Sequence, residues 1–227
     1  MINFLTEKVG FAVCHQITSR CLTFGKINLP ICARCSGIYL GFLITAAILF
    51  SMYRRKESNL PPLWIKIVLV VFIISTIIDG LLSYLNLIPT NNNIRFVTGF
   101  LCGSGIMIII YPVFVFQYYS QASEEKIFAS LLKFVVYIVI ISAFMGLTLA
   151  RFSILGYLYY YLSAFSVVFT FYFINLTMVL LVPPFAQKAD KLASKYLVLP
   201  SLAAIGFMVF ELFISYKIHQ VAASLVT

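Results

Sequence analysis

The chain has 227 residues, 62% of them hydrophobic and only 10% charged, which excludes an ordinary soluble domain. Its net charge of +9 comes with no basic patch interleaved with aromatics. That pattern fits lysine and arginine in the loops of a membrane protein and argues against nucleic-acid binding. Residues 1–13, which include Glu7 and Lys8, are too short and too charged for a cleavable signal. They read as an amphipathic segment on the membrane surface, the start of an N-terminal Cys/His segment covering 1–35.

Residues 14–41 hold four of the five cysteines and one of the two histidines. Cys14 and His15 are adjacent, and Cys32 and Cys35 form a C-x2-C hook that turns two sulfurs toward one point. Three thiolates and an imidazole suit a zinc ion; an iron–sulfur cluster also takes thiolates. Cys21 is the competing fourth ligand. Lys8, Arg20, Lys26 and Arg34 lie around the segment and favour thiolate forms. The C-x2-C pair alone also suits a thiol redox role, and a closed four-ligand zinc site is more often structural than catalytic. The intervening residues 16–31 read as a loop, with Gly25 and Pro30 helping it fold back.

Six apolar segments of about twenty residues or more follow, predicting an all-α integral membrane protein in the lipid bilayer. They cover 36–53, 63–85, 96–118, 127–150, 154–182 and 197–217. The first three make one unit, 36–118, and the last three another, 119–227. Arg54, Arg55 and Lys56 end the first span; Pro61, Pro62, Pro183 and Pro184 mark loops. Both termini then share one side. The loop count, with Lys66, Lys126, Lys188, Lys191 and Lys195 on the opposite side, places the termini outside. The free thiols point the other way, toward the cytosol. Gly37 and Gly41, and Gly99 and Gly103, each form a G-x3-G groove for close helix packing.

The ionisable residues of the spans gather at the edge that carries the cysteines: Asp79, Arg95, Arg151, Glu211 and His219. Such residues are costly in a membrane and mark candidate sites. Asp79 and Arg95, joined by a short link, are expected to pair. Asn91, Asn92 and Asn93 read as a turn.

The run from Cys14 and His15 through Arg20, Leu29, Pro30, Cys32, Arg34, Cys35, Gly37, Ile38, Tyr39 and Gly41 resembles a family of bacterial and archaeal membrane proteins, the domain of unknown function 2085. Asp79-Gly80, Asn92, Arg95, Thr98, Gly99 and Gly103 extend the likeness, which covers about 14–105. Cys21 stands where the family pattern suggests serine, and leucines follow Asp79-Gly80 where it suggests polar residues. The resemblance implies the site positions and carries no activity.

Three functions suit these residues. One is a membrane-embedded metalloenzyme, with Asp79 as general base or as a hydrogen-bond partner behind the zinc ligands, and Arg34 and Arg95 binding an anionic, lipid-like substrate. The second is a scaffold, assembly factor or permease with a structural metal. The third is a thiol redox protein using Cys32 and Cys35. No H-E-x2-H motif and no paired broken helices mark a protease or a transporter. Oligomeric state has no signal in the sequence.

Overall fold

The computed structural model describes residues 2–53, 57–85, 90–192 and 194–226. Seven helices run in chain order: α1 (Ile2–Val13), α2 (Ala33–Met52), α3 (Leu63–Tyr84), α4 (Asn92–Tyr118), α5 (Leu131–Leu149), α6 (Gly156–Leu180) and α7 (Val198–Val226). Six of them, α2 to α7, are long and apolar enough to cross a membrane. The chain is thus an all-α membrane protein with six spans, as its apolar runs predict. The basic triplet 54–56 lies outside the described residues.

The burial pattern is that of a bundle in lipid. Helix α4 is the most deeply buried, and α3, α5 and α7 the least. Val70, Ile74 and Ile77 on α3, Leu132 and Val139 on α5, and Phe207 and Phe210 on α7 all point outward. Lipid tails solvate such faces, so helix association rests on close packing and internal hydrogen bonds. Both are present. Thr45 Oγ1 and Tyr137 Oη lie 3.0 Å apart, linking α2 to α5. Thr148 donates to Tyr159 Oη at 2.9 Å, linking α5 to α6.

Helices α2 and α4 form the tightest pair, and the four glycines explain why. A methyl group on Gly41 would run into the Phe100 carbonyl, and one on Gly103 into the Ile38 carbonyl. Gly37 and Gly99 meet the opposing backbone in the same way. The two G-x3-G grooves therefore face each other, and backbone touches backbone.

The spans differ from their predicted limits at the ends that bear on the site. Helix α2 begins at Ala33, so Cys35 sits in its first turn. Helix α4 begins at Asn92 because the Asn91 side chain accepts from the Ile94 N–H at 2.9 Å. The predicted loop at 16–31 is instead a 3₁₀ turn (Thr18–Arg20) and an antiparallel hairpin of β1 (Cys21–Phe24) and β2 (Ile27–Cys32). Gly25, at φ 61°, takes the left-handed turn position that side-chain-bearing residues avoid. At the other end of the bundle, β3 (Glu57–Asn59) and β4 (Ser123–Lys126) form a short parallel pair between loops.

Candidate metal centre

Three elements deliver three sulfurs to one place. Cys14 follows the end of α1, Cys32 ends β2, and Cys35 lies one turn into α2. Among the described residues, their Sγ atoms all lie within 4.8 Å of one another. All five cysteines are free thiols.

The surrounding chain fixes this approach. Gln16 adopts a left-handed backbone (φ 52°) just after Cys14. Its side chain donates to the Pro30 carbonyl at 2.8 Å and the Glu7 carbonyl at 3.1 Å, tying α1 to β2. The Cys32 N–H donates to Cys14 Sγ at 3.2 Å. Ser36 donates to the Ile31 carbonyl at 3.2 Å, holding the strand-to-helix corner. Beneath the sulfurs Ile31 and Val167 are fully buried, giving the site an apolar floor.

The sulfurs are not equivalent. Hydrogen bonding from Cys14 and Cys35 pushes the Cys32 thiol down to about 2, and backbone N–H groups at the start of α2 add to the effect. Cys14 is pushed up, first by its hydrogen bond to Cys32. Cys21 pairs with Cys32 across the hairpin but donates to the Ile17 carbonyl at 3.4 Å. Burial pushes it up to about 11, with the charges of Cys14 and Cys32 adding to the effect. It lies outside the three-sulfur group.

His15 lies outside that group as well. Its ring meets the His219 ring edge-on, with centroids 4.8 Å apart. The His219 ring in turn sits 3.0 Å (Nδ1) from the Ala12 carbonyl, which places the end of α7 beside α1. The structure thus brings together three of the four predicted ligands and sets the fourth at the rim.

The expected Asp79–Arg95 pair is corrected. Asp79 Oδ2 instead accepts from Arg34, at 3.0 Å from Nε and more closely from Nη2. Arg34 reaches across from the first turn of α2 to α3, while Arg95 is taken up by neutral oxygens. Its Nε, Nη1 and Nη2 each bond at 3.1 Å, to Thr90, Asn92 and Ser83. Asp79 is buried, and its Oδ1 has no hydrogen-bond partner among the described residues. Arg151 bonds Asn93. Glu211 accepts from Asn175 at 2.7 Å, an α6–α7 contact, and lies outside the three-sulfur group.

Asn92 has a role that its reading as a turn residue missed. Its amide nitrogen donates to the Ser19 and Cys21 carbonyls, both at 3.0 Å, while its oxygen accepts from Arg95. It therefore clasps the backbone on both sides of Arg20. The three cysteines share the wall of a cavity of about 200 Å³ with His15, Arg20, Arg34 and Arg95.

Residues 14–109 match the family described as "Predicted membrane protein", the domain of unknown function 2085. An uncharacterized protein of Methanothermobacter thermautotrophicus is 30% identical over 100 residues, 43% of this chain and 83% of its own length. The chain belongs to this family. A second relative, an uncharacterized protein of Methanocaldococcus jannaschii, is 29% identical over 120 residues, 53% of this chain and 75% of its own length. No solved structure gives a significant match. The family match takes in every sulfur of the cluster and all three arginines of the cavity. It ends within α4, so Val167 of the floor and His219 at the rim come from outside it.

Proposed function

We propose that this membrane protein holds a zinc ion through Cys14, Cys32 and Cys35 at one face of the bilayer, and that the ion serves chemistry on a lipid-like or anionic amphipathic substrate. The observation that carries the reading is the convergence of three free thiols from three separate elements. In tetrahedral zinc, with Zn–S bonds of about 2.3 Å, neighbouring sulfurs stand about 3.8 Å apart, a spacing compatible with three sulfurs that all lie within 4.8 Å of one another. Cys21 is a neighbour of the group but not a member of it, its thiol turned to the Ile17 carbonyl, which disfavours a four-cysteine iron–sulfur cluster. Three protein ligands leave zinc a fourth position for water or substrate. His15 is the nearest imidazole in the cavity wall and the alternative occupant, which would close the site.

A second reading draws support from one feature. Cys32, thiolate-prone at the start of α2, also has the electrostatics of a redox cysteine. Metal content separates the two. Protein purified in detergent should carry one zinc per chain. Cys14→Ser, Cys32→Ser and Cys35→Ser should each fall well below that, while Cys21→Ser should match the wild type. Full zinc in Cys32→Ser, or a metal-free wild type with a Cys32–Cys35 disulfide, would overturn the metal reading in favour of the redox one.

A further inference from the structure

Arg20, Arg34 and Arg95 all line the cavity beside the sulfurs. Three guanidinium groups repel one another unless something negative stands between them. The protein itself supplies little. Among the described residues only Arg34 has a carboxylate partner, Asp79, which takes its Nε and Nη2 and leaves Nη1 without a protein partner. Arg95 bonds only neutral oxygens through three of its five N–H groups, so two remain. Arg20 makes no side-chain bond to the described residues, yet its backbone is clasped from both sides by Asn92. Of the other acids at this edge, Glu7 is exposed and lines a separate groove with Gln16, and Glu211 accepts from Asn175; neither lines this cavity.

Two guanidinium groups without a carboxylate partner among the described residues, Arg20 exposed and Arg95 half-buried, stand at one opening, an arrangement that favours an anion there. Zinc with three thiolates would carry one negative charge, and Arg34 and Asp79 cancel. Arg20 and Arg95 then leave one positive charge over. Forked N–H donors match the oxygens of a phosphate group better than a single point charge would. Val13 and Ile17 share the wall, so an apolar substituent on the ligand finds partners as well.

We propose that this cavity binds a phosphate group through Arg20, Arg34 and Arg95, placing a phosphate oxygen next to the three sulfurs. The proposal names the ligand class of the site described above and rests on reading that cavity as the working site. The phosphate belongs either to a lipid headgroup or to a soluble compound.

Two arms separate those sources. In the first, zinc-loaded protein in neutral detergent is titrated with inorganic phosphate, against sodium chloride of equal ionic strength, and the thermal unfolding midpoint is followed. In the second, phosphatidylglycerol or diacylglycerol is supplied in mixed micelles and retention is read by native mass spectrometry. A saturable rise with phosphate identifies a soluble ligand; retention of phosphatidylglycerol over diacylglycerol identifies a headgroup. Either supports the proposal if Arg20→Gln and Arg95→Gln weaken the effect about tenfold, the counterpart of one charge-assisted hydrogen bond. Arg20→Gln removes no side-chain bond to the described residues, so it keeps the test valid if Arg95→Gln, which loses three, folds poorly. No response in either arm, or a response that survives both substitutions, overturns it. Zinc is measured on the same samples. Zinc present without an anion response sinks the phosphate site alone, while an anion response without zinc sinks the metal reading alone.

Discussion

Asp79 and Arg34 are the pair on which the site's electrostatics turn. A buried carboxylate whose guanidinium partner is removed becomes an unpaired charge, at a cost of about 3–5 kcal/mol. Asp79→Asn and Arg34→Gln should each lower stability by about that much in denaturant titrations of micellar protein. The double substitution should lose much less than the sum. Asp79→Asn with Arg95→Gln should come much closer to additive, because Arg95 spends its bonds elsewhere. The thiols give a second residue-level outcome. After chelation, Cys32 should alkylate at neutral pH at a rate that barely changes as pH rises, since a depressed thiol is already thiolate there. Cys21, raised to about 11, should gain reactivity only as the solution becomes strongly alkaline. Mass spectrometry of the labelled peptides reads both, and equal rates at neutral pH would contradict the assignment. The three clustered cysteines were legible because Cys32 and Cys35 form a C-x2-C hook and Cys14 lies in the same Cys/His segment. The Arg34–Asp79 pair was not, because 45 residues separate its members and nothing local says which arginine reaches the carboxylate first. Asn92 was hidden for the same reason: its value lies in two carbonyls more than 70 residues away.

At the scale of elements, α2 and α4 are locked by backbone contact. Gly41→Ala and Gly103→Ala should each force the helices apart, costing about 1–3 kcal/mol or more, as overpacking does. Because α2 carries Arg34 and Cys35 and α4 carries Arg95, both changes should also weaken zinc retention without touching a ligand. Wild-type zinc and thermal midpoints in Gly103→Ala would refute the tight packing. Gly146→Ala on α5, where an added methyl meets nothing, is the matched control. The G-x3-G pairs announced this contact in the sequence, since small residues four apart have few other uses in a membrane helix. The hairpin between Cys21 and Cys32 did not announce itself. Its strands are short, carry Pro30 inside, and gain their order from Gln16, Asn92 and the apolar floor rather than from local alternation.

For the whole molecule, an even number of spans predicts both ends of the chain on one side, and His15 and His219 stand together. A biotin-acceptor tag inserted after Glu124, in β4, and another fused behind Val226 should be modified from opposite sides of the membrane by an impermeant ligase. Modification of both from one side would break the six-span topology. Apolar length made the spans readable. Their neighbours in space were not readable, since lipid-facing and protein-facing positions carry the same side chains.

Helix α7 spans 29 residues, about 43 Å at the usual rise, against a hydrocarbon layer of about 30 Å. A helix longer than the layer can tilt, and a tilt of that kind follows bilayer thickness. Its final turns press on α1, where Ser215 and His219 both meet the Ala12 carbonyl, two residues before Cys14. A thinner bilayer would tip α7 further and drag on that carbonyl, so Cys14, the first cysteine of the proposed zinc site, would be tied to a gauge of the membrane. Zinc should exchange faster from nanodiscs of short-chain lipid than from those of long-chain lipid. Removing α7's grip with His219→Ala and Ser215→Ala should abolish the difference.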